Sequence, residues 1–96
     1  MIKIGRKLFT LKRIDQFKGK AIVGQVDYEA KRITIARRGG ISGKKRTKSE
    51  MEQTLWHEVV HAVLKDMKHP LESNEKFVDE FAKRLHSMKL SGLDKK

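Results

Sequence analysis

Ninety-six residues give room for one compact domain and not two. The chain has no cysteine, which excludes disulfide staples and thiolate metal sites, and no apolar run of about 18 residues, which excludes a membrane-spanning helix. Its net charge is +11, and it is concentrated: residues 1–48 hold fifteen Lys or Arg against three acids, while residues 49–96 are close to neutral.

The amino terminus, Met1-Ile2-Lys3-Ile4-Gly5-Arg6-Lys7, has no apolar stretch of the kind a signal peptide needs. A cytoplasmic protein with no membrane contact is therefore expected. Leu8-Phe9-Thr10-Leu11 reads as a short strand or as the opening of a short helix. Residues 22–28 read as a strand, and Ile33-Thr34-Ile35-Ala36 as a second, with Ile33 and Ile35 on one face. The short connection Glu29-Ala30-Lys31-Arg32 suits a hairpin, although it lacks an Asn-Gly turn.

Residues 37–46 hold three glycines and five basic residues and little that can be buried. That composition reads as a mobile loop, either a plain connector or a contact for substrate or nucleic acid. The basic amino-terminal half suits weak, salt-sensitive binding of nucleic acid, and equally a solubilising surface.

From Thr47 the apolar period becomes helical. Thr47-x-x-Glu50 and Ser49-x-x-Glu52 are overlapping capping-box patterns. Leu55, Val59, Ala62, Val63 and Met67 recur at helical spacing, Lys65 and Lys68 suit the negative end of the helix, and Pro70 stops it. A second helix starts at Ser73 or Asn74, and Phe77, Val78, Phe81, Ala82, Leu85 and Met88 mark its buried stripe. The domain is expected to end near residue 90, with residues 91–96 fraying.

The first helix carries His57-Glu58-Val59-Val60-His61. Histidines four apart leave the same face of a helix, so both rings can reach one ion. Glu58 lies beside them without being a ligand, where a carboxylate can take a proton from water. Imidazole suits zinc, and the pair sits in the most apolar stretch of the chain, where polar rings are costly unless they bind something. A third ligand is required. Glu75 opens the second helix, and a short turn between antiparallel helices returns it to the histidines. Asp79, Glu72 and His69 are the alternatives. In the Glu75 arrangement Asp79, one turn further on, accepts a hydrogen bond from the outer nitrogen of a ligating histidine.

Thr54–Leu64 and the stretch Asn74-Glu75-Lys76-Phe77-Val78-Asp79-Glu80-Phe81-Ala82 together resemble the small phage and prophage metallopeptidases of the ImmA/IrrE type, which are minimal gluzincins. Asn74, Glu75 and Asp79 match the NExxxD pattern that follows HExxH in gluzincins. Leu64 and Met67 stand where a metzincin needs glycine and histidine. The resemblance covers about residues 22–88. It implies an α+β, zincin-like fold: a small antiparallel sheet packed on an active-site helix and a second, ligand-bearing helix. It also implies a substrate peptide added to an edge strand, either residues 33–36 or its partner, and relatives that cut transcriptional repressors.

The expected function is zinc-dependent hydrolysis of a specific protein or peptide, with His57, His61 and Glu75 on zinc, Glu58 as general base and Asp79 behind the ligands. The alternative is a non-enzymatic module stapled by zinc that binds nucleic acid or a host protein. Tyr28, His69 and His86 are the chain's remaining candidates for stabilising an oxyanion, and sequence does not place them.

Overall fold

A computed structural model describes residues 1–88. The expected frayed tail, residues 91–96, lies outside the described residues. Four strands come first: β1 (Ile2–Ile4), β2 (Lys7–Ile14), β3 (Gly24–Asp27) and β4 (Arg32–Ala36). They are followed by α1 (Lys48–Asp66), a short 3-10 helix (Pro70–Ser73) and α2 (Glu75–Ser87). The fold is α+β, with one four-stranded sheet and two helices.

The sheet order is β1-β2-β4-β3. β3 and β4 form the expected antiparallel hairpin, with Val26 opposite Ile33 and Gly24 opposite Ile35. The hairpin turn is held by Asp27, whose carboxylate accepts the Ala30 N–H at 2.9 Å, and by Lys31 in the left-handed region at φ 52°. β2 is a full strand of eight residues, not a helix, because Phe9 and Leu11 alternate onto the core face.

The all-antiparallel expectation is corrected here: β2 runs parallel to β4, with Leu11 opposite Ile33, so the sheet is mixed. The hairpin docks through β4 rather than β3, which places β4 inside the sheet and leaves β3 on the edge. Residues 33–36 are therefore not available for strand addition, and their partner β3 is. β1 was not anticipated. Its signal was the alternation Ile2/Ile4 followed by a Gly5-Arg6 turn with Gly5 at φ 61°.

α1 starts where the capping box says it should. The Thr47 hydroxyl accepts the Glu50 N–H at 3.1 Å, and the Glu50 carboxylate accepts the Thr47 N–H at 2.7 Å. The Ser49-Glu52 alternative is not used. The helix ends before Pro70. Lys68, at φ 55°, donates its N–H to Lys65 O at 3.0 Å, and His69 donates to Leu64 O at 2.9 Å. This is a Schellman stop with lysine in the position usually taken by glycine. His69 is extended, as a residue before proline must be, and Pro70 opens the 3-10 turn that reverses the chain. Asn74 then caps α2 by accepting the Phe77 N–H at 3.0 Å.

Two apolar clusters hold these layers together. Ile4, Phe9, Ile33, Ile35 and Ala62 join the sheet to α1, and Val60, Leu64, Val78 and Ala82 join α1 to α2. α1 packs on one face of the sheet, and α2 packs on α1. The stripes read from sequence were too wide: Val63, Met67, Phe81 and Met88 are exposed along the outer side of the helix pair. Periodicity marks a face, but α1 spends part of that face on Glu58 and His61, which are buried. Among the described residues no helix is long and apolar enough to cross a membrane.

Candidate metal centre

His57 and His61 project from one side of α1 with ring centroids 4.9 Å apart. The Schellman stop and the 3-10 turn bring the start of α2 back against them. His57 Nε2 lies 3.1 Å from Glu75 Oε1, and His61 Nε2 lies 3.0 Å from Glu75 Oε2. One ligand atom from each of the three residues falls within 4.8 Å of the others. The edge of a tetrahedron with zinc-like bond lengths is about 3.3 Å, so the spacing suits one small ion. His57, His61 and Glu75 thus form a group close enough to bind a metal ion.

The hydrogen bonds favour that use. His61 Nδ1 sits 2.8 Å from the backbone carbonyl of Glu72. A carbonyl only accepts, so Nδ1 carries the hydrogen. In the neutral ring Nε2 then presents a lone pair to the Glu75 carboxylate, an arrangement that needs a cation or a proton between the two. Sequence reading missed this backbone partner. Glu72 was weighed as a ligand through its side chain, but here it serves through its main chain. The Glu72 carboxylate lies 3.6 Å from the same nitrogen and accepts the Tyr28 hydroxyl at 3.1 Å. Burial and that bond to Glu72 push the Tyr28 phenol well above its usual range.

Asp79 lies near the outer nitrogen of His57, with Oδ1 3.6 Å from Nδ1, and its other oxygen is 3.0 Å from Lys83 Nζ. His69 is elsewhere: its Nδ1 accepts the Leu71 N–H and caps the 3-10 helix. His86 faces Glu52 at 3.6 Å, away from the group. Tyr28, His69 and His86 do not line the cleft described next.

The three candidate ligands stand at one side of a cleft of about 750 Å³. The lining includes Val23 and the first residue of the edge strand, Gly24, the α1 residues Thr54 and Glu58, and Asp79. Glu58 is 9 % exposed. Desolvation raises its pKa above the ordinary carboxylate value, opposed by His57 and His61 and reinforced by Glu75. Gly24 makes this closeness possible. A Cβ there would lie 2.6 Å from Thr54 Cγ2 and 2.9 Å from Glu58 Oε2. Arg46, a residue no motif pointed to, locks the cleft wall by donating to Ala36 O at 3.2 Å, to Glu50 O at 3.1 Å and to the Thr54 hydroxyl.

Comparison with family models, curated proteins and solved structures finds no match for this chain. The likeness to ImmA/IrrE-type proteins therefore rests on the motif residues alone.

Proposed function

We propose that this protein is a zinc-dependent peptide hydrolase. The observation that carries the reading is the convergence of His57 Nε2, His61 Nε2 and the Glu75 carboxylate at one side of a cleft that also holds a buried, non-ligating Glu58. Two neutral imidazoles and a carboxylate form a zinc donor set that leaves a position for water. Bound there, zinc supplies Lewis acidity toward that water and toward a carbonyl oxygen.

The remaining chemistry belongs to the chain. Glu58 accepts a proton from the attacking water as its oxygen bonds to the peptide carbon. It then returns that proton to the nitrogen as the C–N bond breaks, releasing a carboxylic acid and an amine. Desolvation raises the basicity of this carboxylate, the direction a general base needs. Glu72 O holds His61 with Nε2 toward the Glu75 carboxylate, while Asp79 Oδ1 stands 3.6 Å behind His57 Nδ1, just outside hydrogen-bond distance. β3 is a sheet edge whose first residue, Gly24, lines the cleft, so an extended substrate can pair with its free backbone groups.

Glu58→Gln tests the reading. The variant keeps the three ligands and should hold zinc as wild type does in equilibrium dialysis. Cleavage of a quenched fluorescent peptide library should fall about 10²–10⁴-fold. Equal hydrolysis by both proteins removes Glu58 from the reaction.

One observation favours a second reading, in which the ion only staples α1 to α2 and the domain acts by binding. Among the described residues, no tyrosine or spare histidine lines the cleft to stabilise an oxyanion. On that reading wild type and Glu58→Gln are both inert toward the library, and zinc removal lowers stability alone.

A further inference from the structure

Two loops meet at the end of the sheet where β2 and β4 finish. Residues 15–23 lead to β3, and residues 37–46 lead to α1. Residues 37–46, expected from composition as a mobile loop, form a loop that makes several backbone hydrogen bonds. The segment folds into a short two-stranded ribbon: Arg46 N donates to Arg37 O, Gly39 N to Lys44 O and Gly43 N to Gly39 O, each at 2.9 Å, and Arg38 bridges Lys45. The ribbon is clasped to the other loop. Gly19 N donates to Gly40 O at 3.1 Å, and the Gln16 side-chain amide donates to the carbonyls of Gly39 and Gly40 at 3.0 Å each. Gly40 is buried at the junction, where any Cβ would collide with the backbone carbonyls of Lys20 and Phe17. Arg46 fixes the ribbon's base to α1.

This preformed scaffold displays charge of one sign. Lys18, Lys20, Arg37, Lys44 and Lys45 are exposed, and among the described residues none has an acidic partner within ion-pair distance. The loops contain a single acid, Asp15, which is paired with a sixth cation, Arg38, at 3.2 Å. At the ribbon's tip, between the two pairs of basic residues, stands Ile41, 69 % exposed. Nothing in a plain connector requires a buried glycine clasp, five unpaired cations and an apolar tip together.

We propose that the clasped loops are a docking surface for duplex nucleic acid. The cations meet backbone phosphates, and Ile41 enters a groove as an apolar contact. Charge selects this occupant. A second copy of the chain docking through the same loops would bring the same sign against it. An anionic bilayer would find one isoleucine to bury, too little for an anchor without a second insertion signal. Single strands are recognised by stacking on exposed aromatics, and the only aromatic of the two loops, Phe17, is partly buried. The docking is independent of the metal-ligating residues and stands or falls apart from the hydrolase reading.

The test is fluorescence anisotropy of the whole protein with a mixed-sequence DNA duplex at several salt concentrations. If all five cations meet phosphates, affinity should fall about 500-fold between about 50 mM and about 200 mM salt. In Lys44→Ala/Lys45→Ala the fall should shrink to about 40-fold. Lys3→Ala/Arg6→Ala carries the same charge change on β1 and its turn into β2, at the end of β2 away from the two loops, and should keep the wild-type salt dependence. Ile41→Ser should weaken binding about tenfold at every salt concentration without changing that dependence. Circular dichroism and zinc content of each variant confirm the fold. Three results overturn the proposal: no binding at low salt, equal loss in the two double variants, or preference for phosphatidylserine vesicles over the duplex.

Discussion

Gly24→Ala probes the closest approach in the cleft. Gly24 is not in the left-handed region, so alanine fits its backbone, and on that ground alone the change should stabilise the protein by about 0.4–1 kcal/mol through the unfolded chain. The added methyl decides otherwise. It would lie 2.6 Å from Thr54 Cγ2, and ordinary contact begins at 3.4 Å, so β3 and α1 must separate by about 0.8 Å. Thr54 cannot turn away easily, because its hydroxyl donates to Glu50 O at 3.1 Å and accepts from Arg46. Overpacking of this kind costs about 1–3 kcal/mol, more than the entropic gain. The net loss is about 1–2 kcal/mol, or roughly 5–15 °C in melting temperature for a domain of this size. Urea unfolding of wild type, Gly24→Ala, Thr54→Ser and the double variant forms a cycle. Thr54→Ser removes Cγ2 and keeps the hydroxyl, so in its background Gly24→Ala should cost about 1 kcal/mol less. An alanine variant more stable than wild type, or a cycle with no coupling, would refute the close packing of the edge strand on Thr54 and Glu58.

Wild type should bind about one zinc per chain, and His57→Ala or His61→Ala should lose it, measured by metal analysis after dialysis; full occupancy in both variants contradicts the ligand assignment. Glu75→Ala should weaken zinc binding more than Asp79→Ala, whose effect should be about 10–100-fold, and the reverse order would make Asp79 the ligand. Tyr28 is the only tyrosine, so an alkaline absorbance titration reads it directly: its phenol should ionise above the range of free tyrosine, and a normal midpoint would break the bond to Glu72. Glu50, held in the capping box chiefly by its bond to the Thr47 N–H, has a depressed pKa. Its contribution to stability is therefore present above the unfolded-state pKa and lost as pH falls through the lower folded value. The stability advantage of wild type over Glu50→Gln at neutral pH should disappear in acid, and a difference that persists there would point to a cause other than charge.

What the sequence determined by itself is what local geometry controls. A helical period puts His57 and His61 on one face whatever surrounds them, and Thr47 and Glu50 mark the start of α1 through bonds spanning a single turn. Asn74 caps α2 by the same short-range chemistry, and a short connection pairs β3 with β4. Glu75 was legible because a short reversal between two helices leaves little freedom in where the second begins. Long-range contacts decided the rest. The parallel pairing of β2 with β4 joins residues more than twenty positions apart, and no pattern within either strand distinguishes it from an antiparallel one. Residues 37–46 have the composition of a disordered connector, yet become a ribbon because residues 15–23 supply partners for their backbone. The His61 Nδ1 partner is a main-chain carbonyl, and every residue has one, so side-chain chemistry could not single it out. Which apolar residues of α1 and α2 are buried depended on where the sheet lies. That position turns one side of α1 toward Ile33 and Ile35, opens the cleft over Glu58, and leaves Val63, Met67 and Phe81 in solvent.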